Sequence, residues 1–410
     1  MTLDTATVKA DFPLLEREVN GHQIVYLDSA ATSQKPRVVL DAMNEYYETI
    51  NANVHRGAYT IADLATRRME AARQKVATFV GAPSAAEVIF TRNATEAINL
   101  VSQTWGRANL HDGDVVVLTE LEHHANIVPW QILASERDIE LRWIPIDDQG
   151  RLVLDDIDRL FDGASLVAFS AMSNVLGTIT PVRAIADAAH DADAIVLVDA
   201  SQLVPHVPTD VEALGADFVA FTGHKMCGPT GIGVLWGRRE LLEAMPPFMG
   251  GGEMILQVTK EGFTTNELPW KFEAGTPAIA ETIGLGAAVD YLTSLGMDAV
   301  REHEVSLTAY ALRTLAENHG DKLRIFGPSE PASRGGVLSF EFADVHPHDV
   351  SQVLDQHGVC VRAGHHCAKP LMQVLGVNAT SRASLYVYND ESDIDALSTA
   401  LDGAADMFAF

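Results

Sequence analysis

Cysteine is scarce in this sequence: three residues in 410, Cys227, Cys360 and Cys367. They are too few and too scattered for a disulfide framework, so the fold must rest on a buried core. Basic residues are also few, 29 against 56 acidic ones, for a net charge of −27. A field of that sign repels nucleic acid and anionic membrane surfaces, and neither is an expected partner. No apolar run reaches the ~18 residues that a membrane-spanning helix needs. Residues 1–12 show no apolar stretch behind a basic start, so no secretory signal is legible. The expectation is a soluble, cytoplasmic protein. Its acidic excess is spread along the chain, which serves solubility and would suit a salty cytoplasm.

What is present is an ordinary globular composition, 47% hydrophobic and 21% charged. The length allows two or three domains of about 100–200 residues each. Short apolar, β-branched runs at 24–28, 87–91, 114–119, 141–145, 166–170, 194–199, 217–222 and 231–236 read as strands. Helical patterns at 37–50, 60–80, 95–105 and 182–191 lie between them. Apolar strands separated by helices predict an α/β fold with a mainly parallel sheet covered on both faces. The runs at 217–222 and 231–236 have no helix between them, so part of the sheet is expected to be antiparallel.

The pattern changes near 284–295. Two long helical stretches lead into a strand at 336–342, a helix at 348–357, strands at 359–363 and 383–388, and a last helix. This reads as a smaller α+β domain. The division expected is an N-terminal segment, 1–22, packing with the small domain, a large domain over 23–290, and the small domain over 291–410. No linker rich in Pro, Gly or Ser separates them, and there are no repeats.

Most lysines sit on solvated helix faces. Lys225 instead follows the apolar run Phe218-Val-Ala-Phe-Thr222 through Gly223-His224, with Gly228-Pro-Thr-Gly-Ile-Gly233 behind it. A lysine at a strand end can be partly desolvated, which lowers its pKa and makes the amine nucleophilic. Asp199 ends the strand Val196-Leu-Val-Asp199 one strand unit earlier. Open α/β sheets bind ligands at such ends, although an aspartate there also caps turns. A carboxylate facing that crevice can keep a pyridine nitrogen protonated and make the ring an electron sink. Thr91-Arg-Asn-Ala-Thr95 opens a helix, and a helix start offers free N–H groups to phosphate, as any helix start does. His123 and His124 stand at a further strand end, in an ordinary polar loop or a ligand set. They lack companions at zinc-ligand spacing, so no metal site is assigned.

Together these residues, with Tyr26-Leu-Asp-Ser-Ala-Ala-Thr32, Val54-His-Arg-Gly57, Asn93-Ala-Thr-Glu96, Glu122-His-His-Ala-Asn-Ile127, Ser173-Asn-Val-Leu-Gly177, Phe272-Glu-Ala-Gly-Thr276, Arg362-Ala-Gly-His-His-Cys367 and Ser381-Arg-Ala-Ser384, run through nearly the whole chain. The sequence resembles the class V aminotransferase-like, fold-type I pyridoxal-phosphate enzymes, and among them the SufS-type (group II) cysteine desulfurases. The resemblance implies a large domain with a seven-stranded-type sheet, a small α+β domain carrying the Cys367 loop, and pyridoxal 5'-phosphate as cofactor. It implies that Lys225 carries the cofactor as a Schiff base. Asp199 pairs with the pyridinium nitrogen, Gln202 with the ring hydroxyl, and His123 stacks on the ring. Thr95, Thr222 and His224 hold the phosphate. Thr276 reaches the phosphate of a second subunit, hence a homodimer. Arg382, helped by Arg362 and Asn174, binds the carboxylate of L-cysteine.

Cys367 selects the reaction. It follows His365 and His366, precedes Lys369-Pro370, and lies in a loop entering a helix, a setting that favours thiolate and suits an exposed nucleophile. Cys360, inside an apolar strand, reads as a small buried hydrophobe. Cys227 departs from related sequences and reads as a packing residue. The implied reaction converts L-cysteine to alanine, leaves a persulfide on Cys367, and passes its sulfur to an acceptor protein for iron–sulfur cluster assembly. The segment Asp344-Val-His346-Pro-His348-Asp349 is similar to members that serve a zinc-containing U-type acceptor, with His348 in the position that meets its zinc. A helix cap with incidental histidines reads equally from these residues. Selenocysteine lyase, a true aminotransferase, and an inactive scaffold subunit of the same fold are the rival readings.

Overall fold

The computed structural model describes residues 3–408. Residues 1 and 2 of the expected N-terminal segment, and residues 409 and 410 beyond the last helix, lie outside the described residues. Seven strands form the central sheet: β1 (Val88–Thr91), β2 (Val115–Thr119), β3 (Glu140–Ile144), β4 (Ala164–Ser170), β5 (Ile195–Asp199), β6 (Phe218–Thr222) and β7 (Gly233–Gly237). Their spatial order is β1-β7-β6-β5-β4-β2-β3. The pairs from β6 through β3 are parallel, and β7 runs against both of its neighbours, as the missing helix between β6 and β7 requires. Every residue of β1, β2, β6 and β7 is buried. Helices cover both faces, which is why these strands are continuously apolar.

The parallel register places Ser170 beside Asp199 and Asp199 beside Ala220 at the carboxyl ends of β4, β5 and β6. That edge of the sheet opens toward a second, antiparallel sheet of β8 (Leu323–Ile325), β9 (Val337–Phe342), β10 (Arg362–Gly364) and β11 (Thr380–Ser384), in the order β8-β9-β11-β10. Helices Met297–His319, Pro347–Gln356 and Glu391–Phe408 contribute to its own core, which includes Leu307, Phe340, Val353 and Leu397. The N-terminal segment ties the parts together. Phe12 packs edge-on against Tyr388 and Tyr291, and Lys9 Nζ donates to Asp393 of the last helix at 2.8 Å. Among the described residues no helix is long and apolar enough to cross a membrane.

Two sequence expectations are corrected. The strand expected at 383–388 lies at Thr380–Ser384. The apolar Tyr386-Val387-Tyr388 that drew the reading leaves the sheet and joins the larger core, where Tyr386 donates to the Pro205 carbonyl at 3.1 Å. The strand expected at 359–363 is two pieces. Val359–Cys360 pairs in parallel with Val25–Tyr26, and the chain then enters β10. The hairpin Ile255–Val258 and Phe263–Thr265 was not legible, because its apolar residues Leu256, Val258 and Phe263 are exposed rather than patterned against a core.

Candidate active site

A cleft lies at the carboxyl edge of the central sheet, closed from above by β10, β11 and the loop between them. It brings together Lys225, Asp199, Gln202, His123, Thr95, Thr222, His224, Asn174, Arg362, Arg382 and Cys367. Residues from both sheets thus meet as the sequence predicts. Two predicted residues lie elsewhere in this chain. Thr276 is exposed in a separate recess beside Phe90, Arg92 and Gly231, and His348 is exposed in the first turn of Pro347–Gln356.

Lys225 arrives by a single 3-10 turn, Gly223–Lys225, directly after β6. The turn is held hard. The His224 carbonyl accepts from the Ser33 amide at 2.9 Å, the Ser33 hydroxyl at 3.1 Å and Lys35 Nζ at 3.0 Å. Gly223 is needed there because a Cβ would stand 2.8 Å from the Ile232 side chain. Lys225 keeps some accessible surface where it lines the cleft. Burial pushes its amine down to about 8, with Arg382 and Arg362 adding to the shift while Asp199 and Cys367 oppose it.

Asp199 is buried, and its Oδ1 accepts from the Ser201 amide at 3.0 Å. Gln202 donates to the Ala30 carbonyl at 2.8 Å, while its buried Oε1 has no partner. A buried acceptor left unpaired is costly, and the cleft is where a donor would satisfy it. His123 Nδ1 accepts from the Ala125 amide at 3.0 Å, so its proton sits on Nε2. Burial first, then Lys225, pushes this imidazole down to about 4, and it is neutral at pH 7.

Glu122 beneath it had no role in the sequence reading. Its buried carboxylate accepts from Thr119 Oγ1 at 2.5 Å, Asn126 Nδ2 at 2.7 Å, Ser170 Oγ at 2.8 Å and the Ser170 amide at 2.9 Å. These bonds join the ends of β2 and β4, and burial still pushes the group up to about 7. Its place in the Glu122–Ile127 motif, at a strand end, was the signal that could have marked it.

The phosphate-ready helix is Ala94–Val101. Its N-cap is Asn93, whose side chain accepts from the Glu96 amide at 2.9 Å, and Thr95 stands two residues further on. Gly233 is obligatory alongside, since a Cβ would fall 2.4 Å from the Asn93 backbone. His224 is held neutral, pushed down to about 4 by burial and by Lys225.

On the opposite wall Arg362 and Arg382 face each other across the β10–β11 register. Like charges so opposed destabilise a sheet unless an anion sits between them. Arg382 is buried. It donates through Nη1 to the Asn174 carbonyl and through Nη2 to Asp28 Oδ1, both at 2.9 Å, and its Nε is unpartnered. Two of five guanidinium hydrogens are thus engaged and three remain for a ligand. Asn174 Nδ2 donates to the His366 carbonyl at 2.7 Å, bracing the Cys367 loop. Cys367 is half-buried rather than fully exposed, with its side of the loop on the cleft. Cys227 is fully buried and pushed up to about 12 by that burial, which fits packing. Cys360 is half-buried, not buried, and its thiol is likewise raised by burial.

The chain belongs to the class-V aminotransferase family, whose model matches residues 25–397. It is similar to a probable cysteine desulfurase of Streptomyces coelicolor, 54% identical over 99% of this chain and 98% of that one. The cysteine desulfurase of Haloferax volcanii is 47% identical over 99% and 98%. Among solved structures, the apo cysteine desulfurase of Thermococcus onnurineus superposes with a TM-score of 0.94 at 39% identity, covering 100% of this chain and 99% of that one. The fold is therefore that of the fold-type I pyridoxal-phosphate enzymes, and the cofactor is pyridoxal phosphate. The cleft fits it. The orphaned Gln202 Oε1, the half-engaged Asp199 carboxylate, a desolvated lysine amine and a helix start suit a ring hydroxyl, a pyridinium, an aldehyde and a phosphate respectively.

A pH dependence follows. If Lys225 is the residue that carries the cofactor, only its neutral amine is nucleophilic, and reattachment of cofactor to the cofactor-free chain should quicken by about tenfold per pH unit and level off near pH 8. Stopped-flow absorbance between pH 6 and 9.5 measures this, and a flat profile contradicts it.

Proposed function

We propose that the chain is a cysteine desulfurase that takes L-cysteine to L-alanine and holds the released sulfur as a persulfide on Cys367. The observation that carries this reading is the presence of Cys367 in one cleft with Lys225, Arg362 and Arg382. A transaminase has no need of that thiol.

Arg382 and Arg362 bind the substrate carboxylate, with three hydrogens free on Arg382 and a coulombic need for an anion between the two. When bound, pyridoxal phosphate supplies an electron sink for charge that develops at the substrate Cα. Asp199 would pair with its pyridine nitrogen, Gln202 Oε1 would accept from its ring hydroxyl, and neutral His123 would serve the ring. Thr95, Thr222 and neutral His224 would hold its phosphate. The Lys225 amine removes the Cα proton and later returns one, a task for which a pKa of about 8 is suited. The Cys367 thiolate attacks the substrate sulfur. An S–S bond forms as the Cβ–S bond breaks, and the electron pair stays on carbon, which is protonated and leaves as alanine. Incubation with L-cysteine followed by mass analysis of Cys367 tests the proposal: one added sulfur atom supports it, and an unmodified thiol alongside released alanine refutes it. Comparing rates on cysteine and selenocysteine settles which substrate is preferred.

The working unit is a homodimer, in which Thr276 and the exposed hairpin apolars Leu256, Val258 and Phe263 face the second subunit. The three unpaired thiols suit a reducing compartment, the cytoplasm. The sulfur then passes to an acceptor protein for iron–sulfur cluster assembly. His348 is exposed and stacks at 5.4 Å on His346, which presents an imidazole to the zinc of a U-type acceptor. His348→Ala should leave turnover with a chemical reductant within about twofold and lower acceptor-stimulated turnover by roughly tenfold. Equal stimulation of both proteins would remove His348 from the interface.

A further inference from the structure

Cys367 is held within its own loop by one bond, its amide to His365 Nδ1, and from outside by a distant loop. His366 and Cys367 both adopt left-handed backbone, with φ of 51° and 56°. L-residues enter this region only when their surroundings demand it. The loop after β2, far away in sequence, supplies two of the bonds that hold this segment. The His124 amide donates to the Cys367 carbonyl at 2.7 Å. Two residues further on, the Lys369 amide donates to His124 Nε2 at 2.9 Å. The His124 ring lies 5.6 Å from that of His365, whose Nδ1 accepts from the Cys367 amide at 3.2 Å. His366 is anchored separately, through Nε2 on Thr380.

We infer that His124 is the positioning residue that latches Cys367 over the cleft, its imidazole gripping the loop at Lys369 while its backbone grips Cys367 itself. The latch has a purpose in the reaction. The thiol must sit on the substrate sulfur in one step and reach an acceptor in the next, so its loop has to be held by few and breakable bonds. The side-chain bond needs Nε2 as an acceptor, hence a neutral ring with its proton on Nδ1. Burial and the neighbouring His365 and Lys369 favour that neutral form. His123 next door faces the cofactor side of the cleft, so adjacent histidines divide the work. One serves the ring and the other the thiol.

The inference rests on the reading of Cys367 as the sulfur acceptor. Its test uses the cofactor-loaded enzyme with His124→Ala and His124→Gln, the latter returning an acceptor oxygen near the Nε2 position. In His124→Ala, single-turnover loading of Cys367 with sulfur from L-cysteine should slow by about tenfold or more, because small misplacements of a reacting group cost rate steeply. The KM for cysteine should stay within about twofold, since His124 touches no substrate-binding arginine. Alkylation of Cys367 by iodoacetamide without substrate should become several times faster. His124→Gln should restore both rates to within about threefold of the parent. Parental loading by His124→Ala, unchanged alkylation, or a Gln variant as impaired as the Ala variant would each overturn the latch. If alkylation and rescue behave as expected but the parent itself never loads Cys367, the latch stands and the desulfurase chemistry falls. Should His124→Ala lose its cofactor absorbance, hydrogen exchange at the Lys369 amide of the parent decides: protection supports the bond, and exchange at the unstructured rate overturns it.

Discussion

Cys367→Ala should abolish persulfide formation and lower alanine release from L-cysteine by at least about a thousandfold, with the cofactor still bound. The thiol is the only group in the cleft able to take sulfur. Of the other two cysteines, Cys227 is buried with its thiol pushed up to about 12, and Cys360 is raised by burial and lines a separate recess, pairing with Tyr26. Neither can substitute. Alanine adopts the left-handed backbone of position 367 about as readily as cysteine does, and the His124 amide still meets the 367 carbonyl. The loss should therefore be chemical rather than structural, with a melting temperature close to that of the parent. Alanine assay and intact mass after incubation with cysteine read it. Undiminished alanine release would end the nucleophile role.

The inner strands of the central sheet were legible because they are short apolar runs buried on both faces, and burial leaves its mark in composition; the edge strand β3, Glu140-Leu-Arg-Trp-Ile144, is only partly buried. The small sheet was harder. β11 reads Thr380-Ser-Arg-Ala-Ser384, a buried polar strand that exists to hold Arg382, and hydropathy pointed past it to Tyr386 and Tyr388. The site showed the same division. Lys225 and Asp199 announce themselves by standing at strand ends. Glu122 and His124 also follow a strand end, but what they do is not legible there, since a buried carboxylate with four donors and an imidazole catching an amide 245 residues away are facts of three-dimensional packing. The Thr95 helix was found, while its capping residue, Asn93, is visible only from which side chain meets the Glu96 amide.

Lys225→Ala should lower turnover by about ten-thousandfold, the upper end of what a positioned acid–base group contributes. The fold should survive. Among the described residues the amine makes no hydrogen bond or ion pair whose loss would strand a buried partner, and burial disfavours its charged form to begin with. Removing it leaves room on the cleft beside the reacting Cα, so methylamine added in solution should restore part of the activity. The pH profile then identifies the base. In the parent, the limb governed by the free amine should bend near 8, where burial has pushed Lys225. In the rescued variant the base is a solvated alkylamine of pKa about 10.4, so the rate should keep climbing roughly tenfold per unit well past pH 9. Steady-state rates from pH 7 to 10 with varied amine measure this. A rescued profile that still bends near 8 would assign that ionisation to another group in the cleft and remove Lys225 as the proton carrier.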